Sequence, residues 1–85
     1  MLTPGQVRAA RCLLGWSQVR LAEECGLAVG TIRRMETKMG LDRTLAGNVE
    51  KVRACLEQNG LEFIEDDGER GPGVRLRRSG RKSKT

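Results

Sequence analysis

The stretch Ser17-Gln18-Val19-Arg20-Leu21-Ala22-Glu23-Glu24-Cys25-Gly26-Leu27-Ala28-Val29-Gly30-Thr31-Ile32-Arg33-Arg34-Met35-Glu36 decides how this chain is read. Ser17 suits an N-cap, and Trp16 and Leu21 occupy the two positions that close an apolar contact across a helix start. Leu21, Ala22 and Cys25 then share one face of a helix about two turns long. Gly26 follows where the chain reverses, and glycine takes positive φ there without a Cβ penalty. A second short helix is expected from about Ala28 to Met35, with Thr31 at or inside its start. Ile32 and Met35 face inward from it, three residues apart. Ala22 is small where the two helices cross.

Working outward, Thr3 and Pro4 open an earlier helix as N-cap and first helical residue. Gln6, three residues after Thr3, completes a capping box, and Leu2 and Val7 can staple it. Val7, Ala10, Leu13 and Leu14 form the apolar stripe, and Gly15 ends the helix. Residues 37–47 are less regular, with Gly40 and Gly47 as breaks and Leu41 and Leu45 spaced for one helical turn. Asn48 is expected to cap a final helix carrying Val49, Val52 and Leu56 on one face, stopped by Gly60. Beyond Gly60 the period changes. Leu61-Glu62-Phe63-Ile64 and Val74-Arg75-Leu76-Arg77 read as strands, separated by the turn sequences Asp66-Asp67-Gly68 and Gly71-Pro72-Gly73. From Ser79 onward no apolar residue remains, so a disordered tail is expected.

The chain has 85 residues, 38% of them apolar and 32% charged, and a net charge of +5. That length suits one small domain with a modest core. No apolar run approaches the roughly 18 residues of a membrane span, and no leader-like segment opens the chain. A cytoplasmic protein is expected. Histidine is absent, which removes Ser-His and Cys-His catalysis and His-containing zinc sites. Neither an enzyme, a cofactor nor a metal site is indicated. Cys12, Cys25 and Cys55 form no CxxC pair and read as reduced thiols packed in the core. With no Tyr, one Phe and one Trp, the chain lacks the rings needed to stack unpaired bases. The charge is unevenly placed. Residues 1–60 carry +3, residues 61–74 carry −4 and residues 75–85 carry +6. A basic helical part with a basic tail suggests a polyanionic partner, nucleic acid first.

Two short helices, a glycine turn and apolar contacts between them specify a helix-turn-helix. At Trp16-Ser17-Gln18, Leu21-Ala22, Gly26-Leu27, Thr31-Ile32 and Met35-Glu36 the sequence resembles the XRE (Cro/CI-like, lambda-repressor-like) family of regulators. The resemblance implies a mainly α fold of four to five short helices over residues 1–60. A β-hairpin over residues 61–78 and a disordered basic tail over 79–85 lie outside that core. The hairpin's Glu62-Phe63-Ile64 and Gly71-Pro72-Gly73-Val74-Arg75-Leu76 look like the endings of small bacterial regulators of this type.

What the resemblance implies can be carried over residue by residue. The helix from Ala28 would enter the major groove of double-stranded DNA, bringing Ala28, Val29, Gly30, Thr31, Arg33 and Arg34 to it. The chain departs from many relatives at Val29 and Gly30, where polar readers often sit. Direct readout therefore falls on Arg33 and Arg34, because arginine pairs bidentately with guanine. Ser17 and Gln18 would meet a backbone phosphate, as would Lys38 and Arg43 after the reading helix. Arg11 and Glu36 match a family ion pair between the first and third helices. A lone motif reads few base pairs, so a homodimer is expected, paired through Leu61, Phe63, Ile64, Val74 and Leu76 of the hairpin. The expected function is a transcriptional regulator, as a repressor or autoregulator. The alternative is a protein-binding module of the same fold, an antitoxin or anti-activator.

Overall fold

The computed structural model describes residues 2–77. The expected tail over 79–85 lies outside them. Five helices are followed by a hairpin: α1 Pro4–Leu14, α2 Gln18–Cys25, α3 Val29–Met35, α4 Lys38–Asp42, α5 Ala46–Gln58, β1 Leu61–Ile64 and β2 Gly73–Leu76. The fold is mainly helical, with helix α2, a turn and helix α3 at its centre.

The helix boundaries follow local chemistry. Thr3 and Gln6 form the capping box: the Gln6 amide donates to Thr3 Oγ1 at 3.1 Å, and Thr3 N–H donates to Gln6 Oε1 at 2.9 Å. Ser17 Oγ accepts from Arg20 N–H at 3.0 Å. Gly15 and Gly26 close α1 and α2 at φ +70° and +72°, a region that costs other L residues about 1–2 kcal/mol. Ala28 caps α3 through its backbone alone, and Thr31 lies inside that helix.

Three expectations about the next segment are corrected. The final helix begins at Ala46, so Asn48 lies inside it and does not cap it. Leu45 stands at the N-cap with no side-chain bond, and its carbonyl accepts from Asn48 and Val49 N–H at 3.0 and 3.1 Å. Leu41 lies in α4 and Leu45 at the cap of α5, so the two do not form one helical turn, and Leu45 is 73% exposed. Gly40, read as a break, sits inside α4 because the chain runs close to α3 there. A Cβ on Gly40 would overlap the carbonyl of Arg34. Thr37 Oγ1 bridges the same point, donating to Arg34 C=O at 2.9 Å and accepting from Gly40 N–H at 3.1 Å.

One buried cluster joins all the layers. Val7 and Ala10 come from α1, Leu21 and Ala22 from α2, Ile32 and Met35 from α3, Val52 and Leu56 from α5, and Leu61 and Phe63 from β1. Fully burying a side chain such as Leu21, Ile32 or Leu56 contributes about 1.5–3 kcal/mol each. Cys12 is a further correction: it is exposed, outside the core. Cys25 and Cys55 are half-buried. Burial first, and then the neighbouring Cys55 thiol, pushes the Cys25 thiol up to about 12, so it stays protonated and unreactive at neutral pH.

The antiparallel hairpin pairs Leu61 with Leu76, Glu62 with Arg75, Phe63 with Val74 and Ile64 with Gly73. Directly opposite residues share a face. Leu61, Phe63, Val74 and Leu76 therefore lie together, against α1 and α5, and Ile64 shares the other face with the ion pair of Glu62 and Arg75 at 3.2 Å. The apolar side chains are thus not divided evenly between two faces. The loop is closed by Asp67, whose carboxylate accepts from Arg70 and Glu69 N–H at 2.7 and 2.9 Å. Those backbone bonds lower its pKa.

Gln6 fixes the hairpin to α1. It is 4% exposed, and its Nε2 donates to the carbonyls of Gly73 at 2.8 Å and Ile64 at 3.2 Å. One side chain thus caps α1 and holds both strands. Gln6→Leu removes these bonds without changing the apolar core. It should lower stability by about 1 kcal/mol, the net worth of part-buried hydrogen bonds lost. Chemical denaturation should show a reduced midpoint with unchanged slope.

Candidate nucleic-acid interface

Helix α3 has one inward and one outward side. Ile32 and Met35 are fully buried. At 3.6 residues per turn, the positions opposite them are Gly30, Arg33 and Arg34. Arg33 and Arg34 are exposed, and Gly30 and Thr31 are partly so. Arg34 folds back along this side. Its Nη2 approaches Thr31 Oγ1 at 3.4 Å, and a Cβ on Gly30 would meet its Nη1 at 3.7 Å. A Cβ at Gly30 would therefore make only ordinary van der Waals contact with the Arg34 guanidinium that lies beside it. Val29 turns partly into the core, while Ala28 stays exposed at the cap.

The remaining expected contacts stand around this helix. Ser17 is exposed at the start of α2. Lys38 begins α4 and Arg43 caps its end, both exposed. Thr37 also follows α3, but its hydroxyl is used in capping α4. Gln18 has an internal partner that sequence reading did not supply: its Nε2 donates to Glu36 Oε1 at 3.0 Å.

Glu36, the residue after α3, gathers the polar contacts of the whole motif. Its side chain is 5% exposed. Arg11 Nε donates to Oε2 at 2.8 Å and Arg11 Nη2 to Oε1 at 3.1 Å, a bidentate pair. The remaining Arg11 nitrogen, Nη1, donates to Trp16 C=O at 3.1 Å, which ties in the α1–α2 turn. The bond to Glu36 raises the Arg11 pKa against the opposing effect of burial. Arg8 was missed altogether. Its Nη1 donates to the backbone carbonyl of Glu36 at 2.6 Å. The only trace in the sequence is that Arg8 and Arg11, three apart, share one side of α1.

Among the described residues, no cluster of His, Cys, Asp and Glu has the makings of a metal site. Nor is any helix among them long and apolar enough to cross a membrane.

Two helices crossing through Leu21, Ala22, Ile32 and Met35, with the second presenting arginines outward, define the class as a helix-turn-helix DNA-binding domain. A family model described as helix-turn-helix matches residues 7–46. Over those residues, a little under half of the chain, it is similar to the XRE family of helix-turn-helix regulators. No curated protein matches the chain.

Breaking the Arg11–Glu36 pair should be costly, since either partner alone leaves a largely desolvated charge. Glu36→Ala is expected to lose about 3–5 kcal/mol of stability. A double-mutant cycle with Arg11→Ala should give a coupling of about 1–3 kcal/mol. Additive effects would mean that the two charges act independently.

Proposed function

We propose that the protein binds double-stranded DNA sequence-specifically and regulates transcription by occupying an operator, as a repressor or autoregulator in the cytoplasm. The outer side of α3 carries this reading: two exposed arginines and a threonine around a glycine, with no acidic residue among them. In the major groove Arg34 pairs with a guanine and Arg33 with a neighbouring base or phosphate. Val29 and Ala28 offer apolar contact to a thymine methyl, and Gly30 and Thr31 allow close approach. Ser17, Lys38 and Arg43 meet phosphates. Gln18 retains one amide hydrogen beyond its bond to Glu36 and joins them.

Arg34→Ala tests the reading. Affinity for a duplex selected from random sequence should fall by about 1–3 kcal/mol, with discrimination relaxed at one base pair. Equal losses on selected and random duplexes would reduce Arg34 to a phosphate contact. Wild-type protein that binds selected and random duplexes alike would instead favour a protein-binding module.

We infer further that two copies act together through the hairpin. The two-stranded sheet leaves an edge on each strand, and Ile64 and Leu76 are 37% and 38% exposed. Leu61, Phe63 and Val74 serve the protomer's own core, so pairing uses the edge of β2 and its exposed Leu76, forming one sheet across a two-fold axis, with Ile64 on the opposite face. Two half-sites about one DNA turn apart would then be read at once. Sedimentation should find a dimer for the intact chain and a folded monomer for Leu76→Glu. An intact chain that remains monomeric at high micromolar concentration, free and on DNA, would overturn this arrangement.

A further inference from the structure

We propose that Arg8 is a positioning residue for the reading helix, holding the end of α3 in the orientation that base readout needs and touching no DNA itself. The inference rests on the reading of α3 as the DNA-contacting helix. Helix α3 has seven residues and no side-chain cap at its start. So short a helix has little stability of its own, and its direction is set by what it packs against. Its apolar anchors, Ile32 and Met35, lie along one side, and an apolar contact of this kind is non-directional. It fixes depth but sets roll and tilt only within the scatter of helix packing angles, about 15–20°. Directional bonds supply the rest: Thr37 Oγ1 donates to the Arg34 carbonyl from the adjoining chain, and the side chains that reach this end from α1 and α2 all meet at Glu36.

Two of these partners act on the carboxylate: Arg11 at 2.8 and 3.1 Å and Gln18 at 3.0 Å. They hold the side chain, which still has rotatable bonds between it and the helix. Arg8 acts on the main chain. Its guanidinium lies 2.6 Å from the Glu36 carbonyl, at the negative end of the helix dipole. It therefore fixes the helix end directly. Arg8 and Arg11 reach it from successive turns of α1, which is anchored in the core by Val7 and Ala10. Glu36 is only two residues beyond Arg34, so a change of roll at the carbonyl is passed almost undiminished to the reading arginines.

The test uses the intact chain, wild type and the variants Arg8→Ala and Arg8→Lys, with a duplex selected by the wild type and a random duplex. Arg8→Ala should weaken binding to the selected duplex about tenfold, the effect of one charge-assisted bond, and leave the random duplex unchanged. The salt dependence should keep its slope, because no phosphate contact is lost. Arg8→Lys, which retains a donor but not the fork, should restore part of the discrimination. In the free variants, residual dipolar couplings of α3 amides should shift relative to those of α1 and α5. This arm needs no DNA, so a reoriented α3 in the variants, beside a wild type that shows no discrimination, would sink the DNA reading while supporting the positioning role. Equal losses on both duplexes with a slope reduced by about one would make Arg8 a phosphate contact and overturn the proposal. So would a lowered melting point with unchanged couplings and unchanged discrimination.

Discussion

A single buried residue, Glu36, holds the working part of this protein in register. Its two carboxylate oxygens and its carbonyl accept from Arg11, Gln18 and Arg8. A carboxylate withdrawn from water is expensive, and only complete pairing with good geometry offsets that expense. Here the pairing draws on α1 and the first residue of α2, and through Arg11 it extends to the Trp16 carbonyl. The ends of three short helices are therefore defined by one set of directional bonds. Apolar packing alone would bring the same helices together without fixing their angles.

Helix α1 is the frame for this arrangement. Val7 and Ala10 enter the core. Arg8 and Arg11 leave one flank toward the end of α3, and Gln6 leaves the other toward the hairpin. Helix α3 and the hairpin are thus positioned from opposite sides of the same element. The hairpin also gives Leu61 and Phe63 to the common core. A two-stranded sheet is marginal alone, and here its stability comes from α1 and α5 beneath it.

Much of this was legible in the sequence. The capping box at Thr3 and Gln6, the Ser17 cap and the glycines at 15 and 26 each specify a boundary through local chemistry, and each boundary falls where that chemistry puts it. The inward positions of Leu21, Ile32, Met35, Val52 and Leu56 follow from helical periodicity. The start of α5 was not legible: Asn48 is the better capping residue, yet the helix starts at Ala46 with an uncapped Leu45 before it. Cys12 likewise looked apolar enough for the core, but α1 turns it to solvent. Local preferences of this size are small beside the packing of a whole helix.

The sequence by itself determined α1, α2, α3, the body of the final helix and the two strands, their order and most of their inward residues, because those depend on residues within a few positions of one another. Only the tertiary structure decided what the polar side chains do. Gln6 bonds to carbonyls 58 and 67 residues away, and Arg8 to one 28 residues away. Gln18 spends an amide hydrogen inside the molecule, and Gly40 is needed for the approach of α4 to α3. A hydrogen bond is directional over tenths of an ångström. Its partner across the fold is set by the relative placement of whole helices, which no local pattern in the chain contains.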